Sequence, residues 1–362
     1  MKKIVISVTN DLATDQRVHR ACLSLQELNY EVLLIGQKSA KSSQLKRSYA
    51  CKHFELVFKK GFFFYAEYNT RLFFYLLFNK ADVLLANDLD TLLPNFLVSK
   101  LRKSQLVYDS HELFTEVPEL IDKPAVKKFW LYLEKYTLPR VQHCYTVAPT
   151  IAAHYNNLYK TDFKVIRNLP LTHKKKDTTI KIEANGRKIL LYQGSLNIGR
   201  GLGLLIETMS LLDNHLLVIA GTGDVELQLK ELTRLCKLED KVLFLGRLSP
   251  EELKNITSQA QLGFSLEDDL GLNYRYALPN KIFDYIQAEV PVLISNLPEM
   301  SALMQQYQFG EILQERTPTQ LAKQIKVVLE NDYSIALNKA KKDLVWENEK
   351  QHFIAIFENL DR

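Results

Sequence analysis

Short apolar runs alternate with amphipathic stretches along almost the whole of this 362-residue chain. That alternation is the pattern of βα units built on parallel sheets. In the first half KIVISV, EVLLIG, ADVLLAN, QLVYDS, CYTVA and FKVIRN read as strands. Between them lie helical stretches such as DQRVHRACLSLQEL, which sets Val18, Cys22, Leu25 and Leu28 on one face. Residues 169–188, LPLTHKKKDTTIKIEANGRK, are polar and basic, lack a period and read as a linker. A second series follows, KILLYQG, HLLVIAG, KVLFLG, QLGFSL, PVLISN and GEIL, each run leading into a helix candidate. SPEEL marks one such start, with Ser249 as N-cap, Pro250 in the first position and Glu252 completing a capping box.

The length exceeds what one ordinary core accommodates. The expected fold is α/β: two doubly wound domains, 1–168 and 189–340, facing each other across a cleft, with the linker 169–188 between them. A C-terminal helix over 341–362, with Phe353, Phe357 and Leu360 on one face, is expected to pack back toward the N-terminal domain. Ligands of such sheets bind beyond the carboxyl ends of the strands, so functional residues should follow strands.

Charge divides along the chain. Residues 1–168 hold 24 Lys and Arg against 16 Asp and Glu, the linker is net +4, and residues 189–362 hold 17 against 24. A basic front and an acidic back point to different partners for each. Cys22, Cys51, Cys144 and Cys236 are far apart and form no CxxC pair, which argues against a disulfide framework or zinc site and fits a reducing cytosol. The apolar run in MKKIVISVTND is too short for a signal peptide and reads as a first strand. No run approaches the ~20 residues that span a bilayer.

Two stretches of the second half carry chemistry. KILLYQG ends at Gly194, and SLNIGRGLGLLIETM then passes Ser195, Arg200 and Gly201 into a helix. Free backbone N–H groups at a helix start, with a guanidinium beside them, suit a phosphate; a glycine-rich turn with a solvated Arg is the alternative. VIAGTGD, residues 218–224, is a second strand–Gly–helix junction, and its lone GxG is weak evidence. In LPNKIFDYIQAEVPV, Pro279 suits a first helical turn, with Asn280 and Lys281 beside its free N–H groups. Lys281 adds charge to the positive end of the helix dipole, and Asp284 lies nearly one turn further on the same face. A cation at the rim and a carboxylate one turn deeper match a nucleotide diphosphate whose ribose lies beyond its phosphates. A surface Lys–Asp pair, worth ~0.3 kcal/mol, would not explain the apolar surroundings.

YQGSLNIGRGLGLLIE, LVIAGTGD, VLFLGRLSPEEL and LPNKIFDYIQAEVPVLIS, in this order, resemble the donor-binding domain of retaining GT-B glycosyltransferases, in particular glycosyltransferase family 4. NDLATDQRVHRACLSLQELNYEVLLIG and VYDSHEL resemble its acceptor-side domain, so the resemblance covers essentially the whole chain and implies two Rossmann-like domains. It implies that Arg200 and Lys281 bind pyrophosphate, that Asp284 takes the ribose, and that His111 faces the donor sugar. Gly194, Ser195, Asn280 and Glu267 complete the expected donor side, and Asp15, Arg17 and Glu112 the acceptor side. Two departures stand out: Ser195 occupies a position where the family often has a phosphate-binding Arg, and DDLGLNYRYALPNK separates Glu267 from Asp284, so the family's paired acids eight residues apart are absent in that form.

NDLDT contains Asp88 and Asp90 in the DxD spacing of a metal site in the other major glycosyltransferase fold. Ahead of TLLPNFLVSKL a helix cap is the favoured reading, and only one of the two acids is needed for it. Asp15 is a candidate cap for the first helix, presenting Arg17. FKKGFFFYAEYNTRLFFYLLFNK is the most aromatic stretch; Phe74 and Phe78 share a face expected in the core, whereas Phe62, Phe63, Phe64 and Tyr65 are too contiguous for any single buried face. With Lys59 and Lys60, and with Lys127 and Lys128 beside Phe129, Trp130 and Tyr132, these aromatics suit an anionic membrane surface; an aromatic core with solvated lysines is the alternative.

The expected activity is transfer of a sugar from a nucleotide-diphosphate sugar to an acceptor hydroxyl, with retention and with neither cofactor nor metal. The expected acceptor is a glycan or lipid-linked glycan of surface polysaccharide or lipopolysaccharide assembly, and the expected location the cytoplasm or the inner face of its membrane. Nucleic acid is not expected as a partner. The rivals are a nucleotide-sugar epimerase of the same fold and a non-catalytic nucleotide-sugar-binding subunit. A nicotinamide-dependent oxidoreductase is remote, because neither half opens with GxGxxG after its first strand.

Overall fold

The computed structural model describes every residue except 13–14, 39–45, 118–119, 121–122, 173–179 and 361–362. It divides into two compact units, Met1–Asn168 with Glu349–Arg362, and Leu169–Asn348. In the first unit β1 (Lys3–Asp11), β2 (Glu31–Gln37), β3 (Ala50–Phe54), β4 (Val83–Asn87), β5 (Gln105–Ser110), β6 (His143–Thr146) and β7 (Phe163–Val165) form one sheet in the order β3-β2-β1-β4-β5-β6-β7. Every pairing is parallel. Its helices are α1 (Gln16–Glu27), α2 (Gly61–Phe78), α3 (Leu89–Arg102), α4 (Pro124–Thr137) and α5 (Pro149–Tyr159). Right-handed crossovers place α2 to α5 on one face and α1, whose step runs the other way, on the opposite face.

The second unit repeats the plan. Strands β8 (Lys188–Gln193), β9 (His215–Ala220), β10 (Val242–Gly246), β11 (Leu262–Ser265), β12 (Val292–Ile294) and β13 (Gly310–Ile312) pair in parallel in the order β10-β9-β8-β11-β12-β13. Successive side chains enter opposite cores, as strand geometry demands. Ile189 and Leu191 pack with α8 (Pro250–Thr257), with α10 (Asn280–Gln287), which follows the one-turn α9 (Leu272–Arg275), and with α11 (Pro298–Tyr307) and α13 (Ser334–Asp343). Leu190 and Tyr192 pack with α6 (Leu202–Thr208), α7 (Glu226–Leu235) and α12 (Pro318–Glu330). The capping box at Ser249 forms, Ser249 Oγ accepting from the Glu252 N–H and Glu252 from the Ser249 N–H.

Three expectations change. Residues 169–188 are more than a tether: Leu169 and Ile182 are buried in the core of the second unit, and 173–179 lie outside the described residues. The tail is two helices, not one over 341–362; α13 keeps Leu337 and Ala340 in the second unit's core, while α14 (Trp346–Glu358) belongs from Glu349 onward to the first. Phe74 and Phe78 do not enter the core, being 51% and 74% exposed, because α2 turns the line Phe64, Tyr68, Leu72 and Leu76 to the sheet. β3 carried no apolar run in the sequence, since ACKHF is an edge strand that buries little besides Phe54. Among the described residues no helix is long and apolar enough to cross a membrane.

α14 docks on the first unit through Phe353 and Phe357, both buried, which lie against Tyr145 and Tyr30 respectively. Lys350 also pairs with Glu27 at the end of α1. Phe357→Ala is expected to cost about 3–5 kcal/mol in the urea unfolding transition of the first unit, because the cavity it leaves is lined by rings that cannot collapse into it.

Candidate functional site

In the second sheet the order reverses between β8 and β11, whose following connections leave in opposite directions. The crevice at such a switch point is where doubly wound sheets bind ligands. Gly263 on β11 admits the next layer: an added Cβ would lie 2.6 Å from the Tyr285 ring of α10. Tyr285 can therefore reach through to donate to the Leu191 carbonyl at 2.9 Å, and it accepts from the Gln193 N–H at 3.2 Å. That contact sets the first turn of α10 beside the end of β8. Gly221, with φ +148°, permits the loops after β8 and β9 to touch, since its Cβ would stand 1.8 Å from the Gly194 carbonyl.

Glu267 is the centre of what gathers there. It is 1% exposed, directly after β11, and accepts from Lys281 Nζ at 2.9 Å, Ser265 Oγ at 2.7 Å and Arg200 at 3.4 Å. Burial alone would raise its pKa; the Lys281 and Arg200 charges outweigh burial and hold the carboxyl below the ordinary range. Lys281 also sits 4.1 Å above the Tyr192 ring, and Arg200 4.9 Å from that of Tyr274. Asp284 accepts from Gln193 Nε2 at 3.1 Å, and the Thr257 hydroxyl, 2.7 Å from Gln193 Oε1, fixes which way that amide points. Pro279 is the N-cap residue of α10, one position earlier than expected, and Asn280 and Ser195 are exposed.

The first sheet reverses between β1 and β4, and there a second group assembles. Asp15 caps α1 by accepting from the Val18 N–H at 3.0 Å. Arg17 pairs with Asp109 at 3.0 Å. His111 Nε2 stands 3.1 Å from the same Asp109 oxygen, and Nδ1 stands 3.0 Å from Asp88. Two ring nitrogens facing two carboxyl groups require two protons between them, one more than a neutral imidazole carries. Burial supplies a reason for an acid to keep one: it pushes Asp88 well above the usual carboxylate range, against the pull of Arg17. Burial likewise raises Asp109 to about 6, again opposed by Arg17.

The helix cap expected from one of Asp88 and Asp90 does not form. Asp88 occupies the N-cap position of α3 without a side-chain cap bond, and its Oδ1 accepts instead from the His111 N–H at 2.9 Å. Its φ of 59° with ψ of 165° is a region costly for any residue with a side chain, a strain that persists where a site needs it. Asp90 faces the Thr9 hydroxyl at 2.6 Å. Glu112 is half-buried, and its charge adds to the upward shift of Asp88. Among the described residues no group of three or more His, Cys, Asp or Glu side chains is arranged to hold a metal ion.

Residues 174–349 match the family model described as Glycosyl transferases group 1. They form a glycosyl transferases group 1 domain. The group 1 match contains Arg200, Glu267, Lys281 and Asp284. An uncharacterized glycosyltransferase of Methanocaldococcus jannaschii is 25% identical over 182 residues, which are 47% of this chain and 44% of that protein, so the match spans less than half of the relative's length. Among solved structures, Anabaena Alr3699/HepE in complex with UDP and glucose is similar at a TM-score of 0.75, with 12% identity, over 99% of this chain and 100% of that one. WaaG, a glycosyltransferase involved in lipopolysaccharide biosynthesis, is similar at 0.74, with 13% identity, over 98% and 99%. The chain has the two parallel-sheet, Rossmann-like units of the GT-B fold.

Within the group 1 domain the structure brings Arg200, Lys281 and Glu267 into direct contact and sets Asp284 beside them, on Gln193. The segment that separates Glu267 from Asp284 in sequence folds back, its Asp268 N–H donating to the Gly199 carbonyl at 2.8 Å and its Tyr274 hydroxyl to Ile198 at 3.0 Å. Several residues had no sequence signal: Tyr192, Gln193, Thr257 and Arg316, whose guanidinium donates to the Leu266 carbonyl at 3.0 Å and to Ser295 Oγ at 2.9 Å, bracing the loop that carries Glu267. In the first unit His111, Arg17 and Asp15 lie together, but joined by Asp88 and Asp109.

Asp90 gives a pH signature. Burial raises it to about 7, with the Thr9 hydroxyl opposing. A folded value above the unfolded one stabilises below pH ~4, and that contribution is lost as the pH rises through ~7. Asp90→Asn is therefore expected to be more stable than the parent at pH 8, by on the order of 3–4 kcal/mol, and indistinguishable from it near pH 4. Denaturant unfolding at both pH values checks this, and a difference independent of pH contradicts it.

Proposed function

We propose that this chain is a retaining glycosyltransferase that moves a sugar from a nucleotide-diphosphate sugar to an acceptor hydroxyl without a divalent metal. The observation that carries the reading is the convergence of Lys281 and Arg200 on buried Glu267 at the β8/β11 switch point, with Asp284 one turn further along α10. A departing diphosphate needs preorganised positive charge more than it needs a strong base. Lys281, Arg200 and the positive end of the α10 dipole can supply it, while Asp284 can accept from ribose hydroxyls. The group 1 domain and the likeness to HepE, solved with UDP and glucose, support this donor class.

The acceptor in this reading is a lipid-linked glycan of surface polysaccharide assembly, met at the cytoplasmic face of an anionic membrane. The exposed aromatics of the basic first unit support it: Phe62, Phe63, Phe74 and Phe78 on α2, and Phe129 and Tyr132 on α4. Of the four lysines expected there Lys59, Lys60 and Lys128 are exposed, Lys59 donating to the Leu56 carbonyl, while Lys127 is half-buried and pairs with Glu116. The likeness to WaaG agrees with a lipopolysaccharide-like acceptor.

The test is turnover of a panel of nucleotide sugars with and without acceptor, in excess EDTA, with the product anomer assigned by NMR. Retained configuration in EDTA is expected. Isomerised donor without acceptor would mean an epimerase, and tight binding without turnover a non-catalytic subunit. Arg200→Ala should weaken nucleotide-diphosphate binding roughly 10- to 150-fold, the value of a lost charge-assisted contact. Asp284→Asn should weaken a ribonucleotide more than its 2′,3′-dideoxy analogue. Unchanged affinity in the first variant, or equal losses in the second, removes that residue from the donor site.

A further inference from the structure

Where β11 ends, the chain leaves the second sheet and its carbonyls lose their ladder partners. The Ser265 carbonyl still accepts, from the Ser295 N–H at 2.9 Å. The next two residues, Leu266 and Glu267, are both buried. A buried carbonyl needs a donor, and past the sheet the ladder no longer supplies one. Arg316 does. Its Nη2 donates to the Leu266 carbonyl at 3.0 Å, and its Nη1 to Ser295 Oγ at 2.9 Å and more weakly to the Glu267 carbonyl at 3.4 Å. Nη2 also pairs with the Asp268 carboxylate. One planar fork thus grips three consecutive residues of the Glu267 loop and the residue that follows β12.

Arg316 is itself fixed from both sides. Thr317 caps α12, its hydroxyl accepting from the Gln320 N–H at 3.3 Å, and Pro318 opens the helix, which buried Leu321 and Ile325 anchor. Ahead of it the Gln314 N–H donates to Gln324 Oε1 at 2.9 Å. The fork also stands under the turn that carries Arg200. A Cβ on Gly201 would lie 2.4 Å from the Leu266 carbonyl oxygen and 3.3 Å from Arg316 Nη2, so that turn rests directly on their contact. Asp268, the carboxylate partner of Arg316, donates its own N–H to the Gly199 carbonyl at 2.8 Å. Arg316 is not placed to bind an anion itself, because both terminal nitrogens already have acceptors and Asp268 offsets its charge.

We propose that Arg316 is a positioning residue of the donor site: it holds the Glu267 backbone so that the Glu267 carboxylate sets Lys281 and Arg200 where a departing diphosphate needs them. The proposal deepens the donor reading above and rests on it for the consequence in turnover. Without the fork the two carbonyls turn toward water, the Glu267 peptide rotates, and the carboxylate leaves its 2.9 Å contact with Lys281. Every charged group that faces the diphosphate is still present, but the preorganisation is gone.

The experiment compares the full chain with its Arg316→Ala and Arg316→Lys variants, in donor kinetics and in crystal structures. Arg316→Ala should lose roughly 10- to 100-fold in kcat, the scale of a misplaced catalytic group, with a smaller change in donor KM. Millimolar methylguanidine should restore much of that loss, because a free guanidinium can occupy the place of the fork. A residue that only stabilised the fold would lower the melting temperature and show no such rescue. Arg316→Lys keeps the charge without the fork and should fall between the two. It carries both measurements should the alanine variant not fold. Arg275→Ala, which removes an exposed pair with Asp269 in the same segment, should keep the parental kcat. In the variant crystal Glu267 should be displaced from Lys281. An undisplaced Glu267, or parental kcat in both Arg316 variants, overturns the proposal. If the parent transfers no sugar, the transferase reading falls, and the variant crystal alone decides: a displaced Glu267 upholds the positioning role and an undisplaced one overturns it.

Discussion

A parallel sheet that grows outward in both directions from its middle must leave a crevice where the direction changes, because the two connections beside it diverge. Both units obey that constraint, at β1/β4 and at β8/β11, and the Asp88–His111–Asp109 and Arg200–Glu267–Lys281 groups lie at those two places. Chain order has little to do with it. Glu267 follows β11, Lys281 begins α10 after a long excursion, and Arg200 follows β8, yet the three meet because β8 and β11 are neighbours.

The two groups solve burial of charge differently. In the second unit one carboxylate is matched by two cations and a hydroxyl, so Glu267 stays ionised despite complete burial. A buried ion pair is tolerable only when its geometry and remaining hydrogen bonds are this well satisfied. It also holds Lys281 and Arg200 in place, which under the proposed donor role is the form electrostatic preorganisation takes. In the first unit Asp88 and Asp109 share His111, Asp109 also pairs with Arg17, Asp90 faces the Thr9 hydroxyl, and burial raises all three carboxyl groups. Protons there are held by position: the strained backbone at Asp88 points its carboxylate back at both the ring and the N–H of His111.

The outer surface of α2, α3 and α4 is shaped by a division of labour within each helix. α2 spends Phe64, Tyr68, Leu72 and Leu76 on the sheet and turns Phe63, Phe74 and Phe78 outward, so its aromatic content is not explained by the core alone. An apolar face left outward on a basic unit costs solubility unless something covers it.

Periodicity is a local property, and it made the strands and most helices legible. KILLYQ and HLLVIA could be read as strands because each fills a core on both faces, whereas ACKHF could not, because an edge strand buries little. The capping box at Ser249 and the cap at Asp15 were legible for the same reason, each being closed within three residues. The apolar setting of Lys281 marked it as more than a surface lysine, but nothing in the sequence says that Glu267 would be its counter-ion or that Thr257 would orient Gln193 toward Asp284. Asp88 and Asp90 read as a source of one helix cap because they precede a helix; only the neighbouring strand, bringing Asp109 and His111 alongside, gives the Asp88 carboxylate a better partner. The apolar pattern alone determined the two βα series, while strand order, which no local pattern encodes, decided which distant side chains would share a buried charge.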